Sequence, residues 1–151
     1  MLSLSSAMTF LVCEDGSEYT DRFTRFLGAH FQFARAGHFA EALALAPSAQ
    51  ALLLDLDFRR TQRALLVDER GAPDPRSAVE VQGILILRAL RSRGVGMPAF
   101  LFADLADPSH AARLEAELAP LRIVPSSEGL PRIAQLLREV VSKATGSVAK
   151  S

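Results

Sequence analysis

One cysteine, one tyrosine, no tryptophan and no surplus of either charge mark this chain of 151 residues. The lone Cys13 excludes an internal disulfide and a multi-cysteine zinc site. Lys plus Arg is 17 and Asp plus Glu is 17, so the chain lacks the basic excess of a dedicated binder of nucleic acid or anionic membrane. No apolar run reaches the ~18 residues that mark a membrane-spanning helix. The start, Met1–Ala7, has no basic n-region of a secretion signal, so a cytoplasmic protein is expected. His30, His38 and His110 have no metal-ligand spacing. What is present, 49% hydrophobic and 23% charged residues, suffices for one globular domain with a core.

Strand-like and helix-like segments alternate along the chain. Met8–Cys13 reads as a strand. Ser17 is a candidate cap for a helix through Leu27, with Tyr19, Phe23, Phe26 and Leu27 as its apolar stripe. A short strand over Phe31–Ala34 and a helix over Phe39–Ala46 follow. Ala51–Leu56 is the strongest strand, apolar without a break over Ala51–Leu54, as in a parallel sheet covered on both faces. Helix over Ile84–Arg93 and strand over Pro98–Ala103 come next. Asp107 then caps a helix opened by Pro108, a last strand covers Leu121–Val124, and a helix beginning near Ser127 or Glu128 closes the domain. The tail from Thr145 to Ser151 is expected to fray. Five β-α repeats predict an α/β domain: a doubly wound, five-stranded parallel sheet with helices on both faces. Between strand 3 and helix 3, residues 58–83 form an insertion with a hairpin around Glu69-Arg70-Gly71.

Acids collect at strand ends: Glu14-Asp15 after the first strand, Asp55 and Asp57 after the third, Asp104 after the fourth. Open α/β sheets place their sites at this edge. Carboxylates brought together there raise one another's pKa unless a cation neutralises them, and an oxygen-seeking divalent ion such as Mg²⁺ suits such a set. The same acids have a second use, since a carboxylate near a helix N-terminus is favoured by the dipole. The aromatic set Phe23, Phe26, Phe31, Phe33 and Phe39 reads as core, and Arg59, Arg60 and Arg63 as a solvated loop followed by acids.

Four segments together resemble the response-regulator receiver (CheY-like) domain, a flavodoxin-like module with strand order 2-1-3-4-5. They are Phe10–Asp15, Leu52–Asp55, Gly83–Arg91 and Met97–Ala103. The resemblance implies Asp55 as phosphoacceptor, and Glu14, Asp15, Asp55 and the Asp57 carbonyl as Mg²⁺ ligands. It further implies a non-enzymatic signalling role, with a histidine kinase or an output protein as partner. Departures are equally legible. The family's switch Ser/Thr falls on Ala103, and its lysine before proline falls on Val124 ahead of Pro125. Some 28 positions separate Asp55 from Gly83, where the family uses a short loop. The expectation is therefore an atypical, stand-alone pseudo-receiver with impaired phospho-switching, acting by protein–protein contact. Leu114, Leu118, Val124 and Leu130 are the candidate anchors of a homodimer.

Two other resemblances compete. Leu53–Asp57 is similar to the first motif of haloacid-dehalogenase-type phosphatases, which would make Asp55 a nucleophile. That family continues with Gly-Thr, where this chain has Phe58-Arg59. The Asp-x-Asp strand end and Pro98–Ala103 are also similar to the receiver-like wing domain of basic amino-acid decarboxylases, an assembly element without catalysis.

Overall fold

The computed structural model describes residues 8–150, with side chains through Ala144. The reading of Met1–Ala7 lies outside the described residues. Element order is β1 (Met8–Cys13), α1 (Glu18–Leu27), β2 (Phe31–Ala36), α2 (Phe39–Leu45), β3 (Ala51–Asp55), α3 (Gln82–Ser92), β4 (Ala99–Phe102), α4 (Pro108–Glu117), β5 (Leu121–Val124) and α5 (Leu130–Lys150). The helix α5 continues to Lys150 within the segment expected to fray, and Ser151 lies outside the described residues. All strand pairs are parallel, and the sheet order is β2-β1-β3-β4-β5.

Alternation along the strands divides the core in two. Phe10, Val12, Leu53, Phe100 and Phe102 face α1 and α5, where Phe23, Leu27, Ile133 and Leu137 meet them. Leu11, Cys13, Leu52, Leu54 and Leu101 face the other way, toward residues of α2, α3 and α4. Each large side chain withdrawn from water contributes about 1.5–3 kcal/mol. The three central strands lie between these two layers, which explains why Ala51–Leu54 is apolar without interruption.

Local signals hold in most places. Asp107 caps α4, its carboxylate accepting the Ser109 N–H, with Pro108 in the first turn. Gly94 ends α3 at φ +85, a conformation that favours glycine. Two readings are corrected. Phe26 is 57% exposed, because Tyr19, Phe23 and Leu27 at i, i+4 and i+8 carry the buried face of α1 and Phe26 falls beside it. Its ring lies under the Arg25 guanidinium instead. Leu114, Leu118 and Val124, the expected dimer anchors, are buried in the core, with only Leu130 partly reachable.

The insertion is packed. Phe58 and Leu66 are fully buried, and Val67 nearly so. Val67 pairs antiparallel with Pro73, and Gly71 at φ +83 makes the tip of the hairpin. The buried amide of Gln82, at the start of α3, fixes this hairpin. Its Oε1 accepts the Val67 N–H at 2.8 Å, and its Nε2 donates to the Val67 carbonyl at 3.2 Å and to Ser77 Oγ at 3.1 Å. Arg93 adds a second tie, stacking on Phe39 and donating to the Arg70 carbonyl.

Candidate functional site

Register places the acids at one sheet edge. Cys13 sits opposite Leu54, so Glu14 and Asp15 leave β1 beside Asp55 at the end of β3. The neighbouring strand β4 brings Phe102 opposite Asp55, and β5 brings Val124 opposite Phe102. Gly83 closes the floor of this edge. A Cβ there would stand 2.0 Å from the Asp55 carbonyl oxygen, so α3 reaches β3 only with glycine at this position.

The four acids have different surroundings. Glu14 is buried, and its carboxylate accepts the N–H groups of Tyr19 and Thr20 at 3.1 and 2.7 Å and the Thr20 hydroxyl at 2.6 Å. Glu14 thus does the capping expected of Ser17, whose hydroxyl turns to Asp21. Asp15, its side chain 4% exposed, accepts the Arg60 backbone N–H at 2.8 Å and the Arg60 guanidinium at 3.2 Å. Asp57 is paired with Arg59 through backbone and side chain, which holds its carboxyl below the ordinary range. Asp55 is partly buried and accepts only the Leu56 N–H among the described residues. Burial pushes its carboxyl up to about 6; the Leu56 N–H opposes this, and the charges of Asp15, Glu14 and Asp57 add to it.

Arg60 and Tyr19 were not among the predicted site residues. Sequence pattern groups Arg60 with Arg59 and Arg63 in a solvated loop, because acids follow closely in the chain. Its partners are instead Asp15 and Glu18, more than 40 residues away along the chain. The guanidinium holds Glu18 down to about 2. Tyr19 stacks on Phe102 at 5.1 Å; burial first, and then the Asp55 charge, raise its phenol.

A divalent cation does not fit the arrangement as it stands. Mg²⁺ asks for free oxygens in near-octahedral order. Glu14 has committed both oxygens to α1 and Asp15 both to Arg60, which leaves only Asp55 and the Asp57 backbone carbonyl of the expected ligands. Among the described residues no three His, Cys, Asp or Glu side chains are grouped to hold a metal ion.

The positions expected to hold the switch residues are apolar and packed. Ala103 and Val124 are buried, and the Ala103 N–H donates to the Val124 carbonyl at 3.0 Å. Asp104 accepts the Ser126 N–H and its hydroxyl, tying the loops after β4 and β5 together. A cavity of about 570 Å³, lined by Gln50, Phe100, Pro120, Arg122, Leu136 and Val140, opens near the start of β4 and β5, the opposite end of the sheet from the acids.

No protein-family model matches this sequence, and no curated protein matches it. Solved structures do. The receiver domain of the Francisella response regulator 1452 superposes with a TM-score of 0.66 at 14% identity, covering 91% of this chain and 98% of the other. The chemotaxis protein CheY4 of Vibrio cholerae gives 0.63 at 14% identity, covering 89% and 98%. The BeF3-activated receiver domain of Klebsiella pneumoniae RstA gives 0.61 at 17% identity, covering 88% and 97%. The chain has the receiver fold. The strand order 2-1-3-4-5 and the flavodoxin-like layering agree with that expectation. On this receiver fold Asp55 occupies the end of β3, and the insertion carrying Arg60 lies between it and α3.

Proposed function

We propose that this domain is an atypical receiver that acts in signalling through protein–protein contact, with phospho-switching at Asp55 impaired or absent. The carrying observation is the chemistry at the ends of β4 and β5. Ala103 and Val124 supply neither hydroxyl nor ammonium, and both are packed into the core. A phosphoryl group on Asp55 would bring close to two negative charges next to Glu14 and Asp15. Such a charge needs donors and a cation, and Ala103 and Val124 offer none. The domain is read as non-enzymatic, since Asp57, the second acid of a phosphatase reading, is held by Arg59. Its partner is then a histidine kinase or an output protein.

Amide spectra recorded with a small phosphodonor, and with beryllofluoride plus Mg²⁺, test this reading. The expected result is no change reaching Ala103, Val124 or α5. Shifts that propagate from Asp55 to those positions would establish a working phospho-switch and refute it. In parallel, Asp55→Asn should leave partner binding at its original affinity.

A further inference from the structure

The arginine in the acidic pocket is built in by the fold. Phe58, two residues before it, is fully buried, and its N–H donates to the Val79 carbonyl at 2.9 Å. The Thr61 N–H returns to the Phe58 carbonyl at 3.0 Å, so residues 58–61 form a tight turn with Arg60 inside it. The backbone N–H of Arg60 is itself bonded to Asp15. The side chain then closes on Glu18 with two donors, Nη1 and Nη2, both at 2.9 Å, while Nη2 also reaches Asp15. A bare backbone makes room for it: a Cβ on Gly16 would meet Arg60 Nη2 at 2.5 Å and Cζ at 2.8 Å.

Exposed single ion pairs contribute little, but a two-pronged arginine–carboxylate contact inside a network is the exception. Here one guanidinium spans two carboxylates, and its backbone is fixed by a buried anchor. A divalent cation approaching Asp15 would have to displace a donor from that carboxylate and would meet a like charge beside it.

We propose that Arg60 is the resident cation of this pocket and that its guanidinium stands in place of a divalent, oxygen-seeking ion, which the pocket as built does not fit. Without the guanidinium Asp15 loses the charge beside it and the donor on Oδ1, keeping only the backbone N–H of residue 60 on Oδ2, while Asp55 keeps one oxygen without a protein donor among the described residues. Glu14 remains a helix cap and takes no part. The inference uses the receiver-fold reading only to locate the pocket. It does not depend on the state of the switch.

Amide titrations with Mg²⁺ alone, and line broadening by Mn²⁺ alone, decide it on the full chain. The original protein should show no saturable change at Asp15, Gly16 or Asp55. Arg60→Ala should show saturable binding there, at least about tenfold tighter than the weakest binding the titration of the original protein would have detected, equivalent to about 1.4 kcal/mol. Asp15→Asn added to Arg60→Ala should abolish that binding, which places the ion. Glu18→Gln, which frees one end of the guanidinium and keeps the pocket acids, should bind between the two extremes. Arg60 is largely exposed, so its removal leaves the core intact, and unchanged amide spectra away from the pocket verify this. Equal Mg²⁺ affinity in the original and in Arg60→Ala overturns the inference, and so does the absence of binding in both. Neither result touches the proposed function, which fails only if beryllofluoride shifts reach Ala103 and α5.

Discussion

Replacing Gln82 by leucine removes the polar clamp under the insertion while nearly keeping volume. Gln82 is 1% exposed, so no water stands ready to take over its bonds. The Val67 N–H loses its acceptor, and Ser77 Oγ loses a donor. The Val67 carbonyl keeps one partner, because Ser77 Oγ still donates to it at 2.7 Å. A buried N–H left without a partner costs about 1–3 kcal/mol, and each neutral bond lost adds about 0.5–1.5 kcal/mol. A loss of about 2–4 kcal/mol is therefore expected, which for a chain of this size lowers Tm by roughly 4–16 °C. Urea unfolding gives the first number and calorimetry the second. Ser77→Ala should cost less, near 1 kcal/mol, since the Gln82 amide still serves Val67 on both sides. The double variant should fall short of the sum, because both residues share one network. Hydrogen exchange at the Val67 and Asp68 amides supplies the local readout, with protection lost in Gln82→Leu. A Gln82→Leu protein no less stable than Ser77→Ala, with Val67 still protected, would refute the clamp. The consequence reaches function, because the hairpin that Gln82 holds belongs to the same insertion that carries Arg60.

Three further outcomes are expected. Gly83→Ala should destabilise by about 3 kcal/mol or more, since its Cβ would overlap the Asp55 carbonyl backbone, whereas Gly94→Ala meets open space and should cost only about 1–2 kcal/mol of left-handed strain; equal melting temperatures for the two would contradict this close approach. Asp55 has its folded pKa raised to about 6, so its protonated form favours the native state and its contribution is lost as pH rises through that value. Asp55→Asn should therefore raise Tm by a few degrees at neutral pH, less any screening by the solvent that reaches the carboxyl, with the advantage shrinking below pH 6 and gone once the unfolded carboxyl is also protonated; a gain that grows on acidification would reverse the sign. Burial pushes the Cys13 thiol up to about 12, with the Glu14 charge adding to it, so iodoacetamide at mildly alkaline pH should label Cys13 only on unfolding, a prediction that rapid labelling of the native protein would sink.

Several features of the fold were readable from local pattern. An uninterrupted apolar run such as Ala51–Leu54 has few uses other than a doubly covered strand, and β-α alternation leaves the parallel sheet as the simplest closure. Asp107-Pro108 marked the start of α4 because a cap is a contact between near neighbours. The convergence of Asp15 and Asp55 followed from strand-end position, and the apolar character of Ala103 and Val124 was visible in the letters themselves. Glu14 could be read either as a ligand or as a helix partner, and the path of α1 decided for the helix.

What tertiary structure alone decided concerns contacts between distant segments. Whether Leu114, Leu118 and Val124 are surface anchors or core depends on how α4 and β5 rotate against the sheet, and they turn inward. A glutamine at position 82 looks like an ordinary polar residue until the insertion folds over it and makes it the clamp of a hairpin. Arg60 followed the same logic. Its nearest acids in sequence suggested a solvated loop, but the buried Phe58 beside it turns the chain back over β1, and Asp15, 45 residues away, becomes its partner. Charge pairing is blind to sequence distance and depends on where the backbone brings the groups, so composition and spacing supplied the acids of this pocket, and only the folded insertion supplied its cation.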